Sequence, residues 1–186
     1  MDRLNAGQLR TREVDEKLRA AIKRNPIYII LDDVLDTYNV GAIFRLADAC
    51  AVKKIYLCGA TETPPNPKIK KASVNTWKWV DWEYEKTASD AVLKLKTSTS
   101  AVASADRQNS KFKTIAIEQH KSSIPLKEYQ PQFPLAIVVG NESFGVSKDI
   151  LRLADEIVEL PMFGVNKSLN VMVTLGIVLY RVIEYL

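Results

Sequence analysis

Histidine occurs once and cysteine twice in 186 residues, and no cluster of Cys, His and carboxylate at ligand spacing surrounds His120. A metal centre is therefore not expected. Cys50 and Cys58 are too few and too apolar in their surroundings for a disulfide framework, which predicts a reducing, cytoplasmic setting. No run approaches the roughly 18 apolar residues that a membrane span needs. The opening residues Met1 to Asn5 also lack the apolar core of a secretory signal. Three nucleotide or nucleophile signatures are missing as well. Gly140 to Lys148 has glycines at the separation of a phosphate loop, but Val146-Ser147-Lys148 breaks the required order and Glu142 would repel phosphate. Neither a Gly-x-Gly-x-x-Gly turn nor a Gly-x-Ser-x-Gly elbow is present, which argues against dinucleotide binding and serine hydrolysis.

What is present is a chain of one-domain length, 47% apolar and 26% charged. The net charge of +4 suits a polyanionic partner without requiring one. Apolar runs at 27–31, 54–58, 114–118, 135–139 and 157–160 read as buried strands, and helical spacing appears at 39–50, 89–96, 150–154 and 169–185. This alternation predicts an α/β fold with a mainly parallel sheet and helices on both faces. Residues 1–25 are read as an N-terminal extension with an amphipathic helix from Thr11 to Arg24, and 26–186 as one domain. The extension's basic residues could track phosphates, although a charged helix run is more commonly a solvated face.

Between the second and third predicted strands, prolines at 64, 65 and 67 predict an exposed loop that carries Lys68, Lys70 and Lys71. Trp77, Trp79 and Trp82 are spaced as on a half-buried strand, and residues 97–111 give no clear pattern. Two glycine- and amide-rich turns, 140–147 and 160–170, leave predicted strands and enter helices, which is where open α/β sheets bind ligands. Asn39 and Ser168 are predicted to cap the helices they precede. Arg45 lies off its helix's apolar stripe, either paired with Asp48 or facing the crevice. The last helix is apolar around nearly its whole circumference and must be buried, which predicts a homodimer.

Three segments, Asn39-Val40-Gly41-Ala42-Ile43-Phe44-Arg45-Leu46-Ala47, Val139 to Ser147 and Leu160 to Val171, resemble in order and spacing the signature motifs of the SpoU (TrmH-like) RNA methyltransferases. The resemblance spans about Ile27 to Glu184. It implies a SPOUT fold whose C-terminal part is threaded into a trefoil knot, S-adenosylmethionine as cofactor, a homodimer, and methylation of a ribose 2'-hydroxyl in RNA. Cofactor contacts are implied for Ile117, Glu118, Val139, Gly140, Asn141, Gly145, Leu160, Pro161, Met162, Ser168 and Leu169. Arg45 is implied to act on the hydroxyl, with Asn39, Glu142, Ser168 and Asn170 completing the catalytic set. Arg45, Lys68, Lys70 and Lys71 would hold RNA. Ser143, Met172 and Thr174 depart from residues common in the family. tRNA is the expected substrate over rRNA for so compact a chain. A non-catalytic RNA-binding dimer is the alternative.

Overall fold

The computed structural model describes residues 3–100 and 112–186. Seven strands form one sheet: β1 (Asn25–Asp32), β2 (Val52–Cys58), β3 (Trp82–Glu85), β4 (Lys113–Ile117), β5 (Ile124–Pro125), β6 (Leu135–Gly140) and β7 (Glu156–Glu159). Their order is β3-β2-β1-β6-β4-β7-β5, and every neighbouring pair is parallel. Parallel strands covered on both faces need apolar residues on both sides, which is why β1 and β6 read as continuous apolar runs.

Among the described residues, seven α-helices complete the fold: α1 (Ala6–Thr11), α2 (Glu16–Ala21), α3 (Thr37–Ala49), α4 (Pro67–Ser73), α5 (Ala88–Ser100), α6 (Lys148–Leu153) and α7 (Val171–Ile183). Ile29, Leu31, Ile137 and Val139 point to the face covered by α3 and α7. Ile30, Ala136 and Val138 point to the other, where Ala91, Val92 and Leu95 of α5 and Ile150 of α6 close the core. The chain builds outward from β1 to β3 and then restarts on β1's other side. The reversal lies between β1 and β6, where Asp32 is in register with Gly140. Such a reversal leaves a crevice at the carboxyl ends of the strands.

Several local expectations are corrected. The helix expected over Thr11 to Arg24 is shortened to α2, which starts where Asp15 accepts the Lys17 and Leu18 amides, and a separate helix, α1, lies ahead of it behind the capping box of Asn5 and Gln8. The lysine-bearing segment is helical, not a loop. Asn66 caps α4 and Pro67 occupies its first turn, where a missing N–H costs nothing. Trp77 lies in a 3-10 turn (Thr76–Lys78), Trp79 is buried after it, and only Trp82 reaches a strand. Of the unpatterned stretch, residues 97–100 continue α5, while 101–111 lie outside the described residues. Asp36, not Asn39, caps α3, and Asn170, not Ser168, caps α7. The last helix buries one stripe only, Leu175, Val178, Leu179 and Val182.

Among the described residues, no helix is long and apolar enough to cross a membrane, and no group of three His, Cys, Asp or Glu side chains could hold a metal.

Candidate active site

A cavity of about 680 Å³ opens at the carboxyl ends of β4, β6 and β7. Ile117, Val139 and Gly140 contribute from the strand ends, the 141–145 turn forms one wall, and residues of the 159–171 segment form the other. Of the residues expected to hold a cofactor, Ile117, Glu118, Val139, Gly140, Asn141, Gly145, Leu160, Met162, Ser168 and Leu169 line it, and Pro161 does not.

The turn after β6 is built by close backbone approach. Asn141 and Gly145 exchange both backbone hydrogen bonds, at 3.0 and 2.9 Å. Any side chain on Gly140 would overlap the backbone of Gly145 and Val146. Gly145 has a φ of +69°, the left-handed region that L side chains avoid.

Polar side chains around the turn are spent on holding it. Asn141 accepts the Ser143 and Phe144 amides and donates to the Asp33 carbonyl at 2.8 Å. Glu118 accepts the Val146 amide at 2.8 Å, and Asp32 accepts that of Ser147, also at 2.8 Å. Glu118 therefore shapes the cavity as well as lining it. Asp32 and Asp33 are not among the residues that sequence reasoning singles out, although two acids ending a buried strand were the available signal.

Glu142 ties the three motifs together. One carboxylate oxygen accepts the Asn39 side-chain amide at 3.0 Å and the Asp36 amide at 3.1 Å, while the other accepts the Leu35 amide at 3.1 Å. Asn39 in turn accepts from the Asn170 side chain at 2.9 Å, and Asn170 accepts the Met172 and Val173 amides that open α7. Partial burial pushes the Glu142 carboxyl up, but the Asn39, Leu35 and Asp36 donors outweigh it and hold the group below its usual range.

A depressed folded-state pKa gives stability that is full above the unfolded value of about 4.3 and is lost as pH falls through the folded value. Glu142→Gln should cost about 1 kcal/mol at neutral pH and flatten the acid limb of the stability profile. Urea unfolding at pH 7 and at pH 3 measures both; an identical drop in the two proteins on acidification would contradict the assignment.

Arg45 is exposed on α3 and does not line the cavity. It does not pair with Asp48 and makes no other hydrogen bond or ion pair among the described residues; Asp48 instead feels Arg24, and burial pushes its carboxyl up. At about 100° per residue, Arg45 projects between Gly41, which abuts Ala72 and Ile69 of α4, and Leu46, which approaches Gly176 of α7. Lys68, Lys70 and Lys71 are exposed on α4 and also lie away from the cavity. The structure thus brings Asn39, Glu142 and Asn170 together and sets Arg45 and the lysines on a neighbouring surface. Ser168 lines the cavity without capping a helix.

Sequence reasoning missed Gln119, Ser143, Phe144, Glu159, Asn166, Lys167, Val171 and Thr174 as lining residues. Gln119 donates to the Lys167 carbonyl at 2.6 Å, and Asn166 donates to that of Ser168 at 2.8 Å. Their place at strand ends and inside the second and third motifs was the signal, except for Thr174, which lies in α7 beyond the third motif.

The family model described as the SpoU rRNA Methylase family matches residues 26–180. The chain belongs to this family. A tRNA (guanosine(18)-2'-O)-methyltransferase of Aquifex aeolicus is 32% identical over 178 residues, which cover 92% of this chain and 73% of that protein. The crystal structure of the A. aeolicus TrmH/SpoU tRNA modifying enzyme superposes with a TM-score of 0.75 at 28% identity, covering 97% of this chain and 81% of that one. The SpoU methyltransferase AviRb from Streptomyces viridochromogenes, in complex with the cofactor AdoMet, shares the fold at 20% identity and a TM-score of 0.75, over 92% of this chain and 62% of its own. As a SpoU-family chain, the protein has its three motifs on the carboxyl side of the sheet, joined through Glu142, Asn39 and Asn170.

Proposed function

We propose that this SpoU-family chain transfers a methyl group from S-adenosylmethionine to a ribose 2'-hydroxyl of RNA, with tRNA as the substrate. The carrying observation is the convergence of three sequence-distant motifs on one hydrogen-bonded chain, Glu142 to Asn39 to Asn170, beside a cavity of nucleoside-ligand size. The cavity fits the cofactor: Ile117, Leu160, Met162 and Leu169 offer apolar walls, and the tight turn at Gly140 presents backbone polar groups where a side chain cannot stand. S-adenosylmethionine, when bound, supplies an electrophilic sulfonium methyl group. The trefoil knot of the family is carried over with this reading, the 159–171 segment being its cofactor-facing part.

Within this reading the residues have distinct tasks. Arg45 stabilises negative charge developing on the 2'-oxygen; a guanidinium with a pKa above about 12 is a poor base and a good counter-charge. Asn39, Glu142 and Asn170 hold the start of α3 and the start of α7 in fixed relation, and so position Arg45's helix against the cavity. Ser168 contacts ligand at the cavity edge. Lys68, Lys70 and Lys71 hold RNA phosphates.

The active unit is a homodimer. Val173, Ile177 and Tyr180 form an exposed apolar stripe on α7, and Phe144, Phe163 and Leu169 are exposed on the flanking turns. Because Arg45 lies outside its own chain's cavity, we assign it to the cavity of the partner subunit. Ile177→Glu should convert a dimer into a monomer of 20.9 kDa, read by sedimentation equilibrium at micromolar concentration. A wild-type protein that sediments as a monomer would remove the dimer.

Support for tRNA comes from the 32% identical relative, which is named for it, whereas the family description names rRNA. The test is incubation with methyl-labelled S-adenosylmethionine and separated tRNA and rRNA. Label should enter tRNA and survive in alkali-resistant dinucleotides, because a methylated 2'-oxygen cannot attack the adjacent phosphodiester. Label in rRNA alone would replace the substrate. RNA binding with no incorporation would leave a non-catalytic RNA-binding dimer.

A further inference from the structure

Residues 3–12 and 66–80 contain Arg3, Arg10, Arg12, Lys68, Lys70, Lys71 and Lys78, and not one carboxylate. These two stretches are distant in sequence and joined in space. The Asn75 side-chain amide donates to the carbonyls of Leu9 at 3.2 Å and Arg10 at 3.1 Å, satisfying acceptors that the end of α1 leaves open. Asn75 can make this reach because it follows α4 in a left-handed conformation, φ +65°, which asparagine tolerates better than most side chains. All seven cations are exposed, and none forms a salt bridge among the described residues.

The neighbouring α2 differs. Its cations share the 13–24 stretch with Glu13, Asp15 and Glu16, and Arg19 is paired with Glu16 and Asp81. Positive charge is therefore concentrated on α1 and α4, rather than spread along the whole N-terminal extension. α4 packs on α3 where Gly41 meets Ala72. The cations of α1 and α4 are thereby joined, through α4's packing on α3, to the helix that carries Arg45.

We propose that α1, clasped to the end of α4 by Asn75, completes a phosphate-tracking surface that grips the sugar-phosphate backbone of structured RNA on the side of the chain that carries Arg45. The N-terminal extension is thereby a substrate-holding element, acting through Arg10 and Arg12. The proposal rests on the reading of the chain as an RNA-directed enzyme, and it says where the affinity resides. Each phosphate neutralised releases counterions and adds about 0.7–0.9 to the slope of log affinity against log salt.

The test uses the full chain and fluorescein-labelled bulk tRNA, titrated by anisotropy between 50 and 200 mM salt. Removing three surface charges with Arg12→Gln, Lys70→Gln and Lys71→Gln should lower the slope by about 2–3 and weaken binding roughly tenfold or more at the low-salt end. A matched control with Lys53→Gln, Lys86→Gln and Lys127→Gln should change the slope by less than about 1. Asn75→Gly keeps the left-handed backbone and every charge while removing the clasp, and should lower the slope by about 1–2 as Arg10 and Arg12 leave register. Equal losses in the two triple variants would overturn the surface, and an unchanged slope in Asn75→Gly would overturn the role of α1. Label transfer by the wild-type protein is scored separately. A protein that binds tRNA through this surface but transfers no methyl group would refute the enzyme reading and not the surface.

Discussion

Arg45→Ala should lower methyl transfer to RNA by about 10²–10³-fold while leaving S-adenosylmethionine affinity within about twofold of wild type. The large effect follows from chemistry: a 2'-hydroxyl becomes a strong nucleophile only as its proton leaves, and a fixed positive charge favours the oxyanion most in the transition state. The small effect follows from geometry, since Arg45 is exposed on α3 and does not line the cofactor-sized cavity of its own chain. Removing it should leave packing undisturbed, because it makes no hydrogen bond or ion pair among the described residues. Arg45→Lys keeps the charge but loses the planar fork, and should recover only part of the rate. Single-turnover rates with labelled cofactor, set beside calorimetric cofactor binding, separate the two quantities. Near-normal turnover in Arg45→Ala would end the assignment.

Gly140→Ala should abolish cofactor binding, with a loss of at least about 100-fold, and lower the stability of the chain by about 1–3 kcal/mol. Gly140 ends β6, and an added methyl group would occupy the space of the Gly145 and Val146 backbone. The turn would have to open, breaking the paired Asn141–Gly145 bonds and the Glu118 contact to the Val146 amide. The strand itself lies upstream and should survive, so far-UV circular dichroism should be near wild type while calorimetric binding disappears. Gly176 provides the contrast: its nearest side chain, Leu46, is 3.8 Å from where an added methyl group would stand, so Gly176→Ala should be tolerated. Retained cofactor binding in Gly140→Ala would show that the turn is not the cofactor's seat.

Mixed together, Arg45→Ala and Gly140→Ala also decide whether Arg45 serves its own cavity or its partner's. If Arg45 acts across the interface, each mixed dimer holds one wholly intact site, and an equilibrated mixture should regain about a quarter of wild-type activity. If it acts within its own chain, every site in the mixture carries a defect and activity stays near that of the single variants.

Legibility in the sequence differs by element. The central strands can be read directly, because a parallel sheet covered on both faces demands unbroken apolar runs such as Ile27 to Leu31 and Leu135 to Val139. The 140–147 turn is visible as a site through its glycines, and the same glycines prove to be where backbone meets backbone. Proline misleads at α4, because three prolines suggest a loop while Pro67 sits in the one helical turn that accepts it. Position alone makes Asn39 and Ser168 look like caps, yet Asp36 and Asn170 hold those places. Asn39 is committed instead to Glu142 and Asn170.

The amino-acid sequence by itself determined the α/β class, the three motifs, the glycine- and amide-rich turns, and the concentration of cations between residues 66 and 80. Those features are local: periodicity, capping chemistry and glycine tolerance act within a few residues of chain. Tertiary structure alone decided that Asn39 binds Glu142, 103 residues away, and Asn170, 131 residues away. It alone set Arg45 outside its own cavity, left one stripe of an apolar helix uncovered, and brought α1 to Asn75 across 65 residues. Each is a matter of which distant groups satisfy one another's hydrogen bonds and cover one another's apolar surface, and that choice is made only when the sheet assembles.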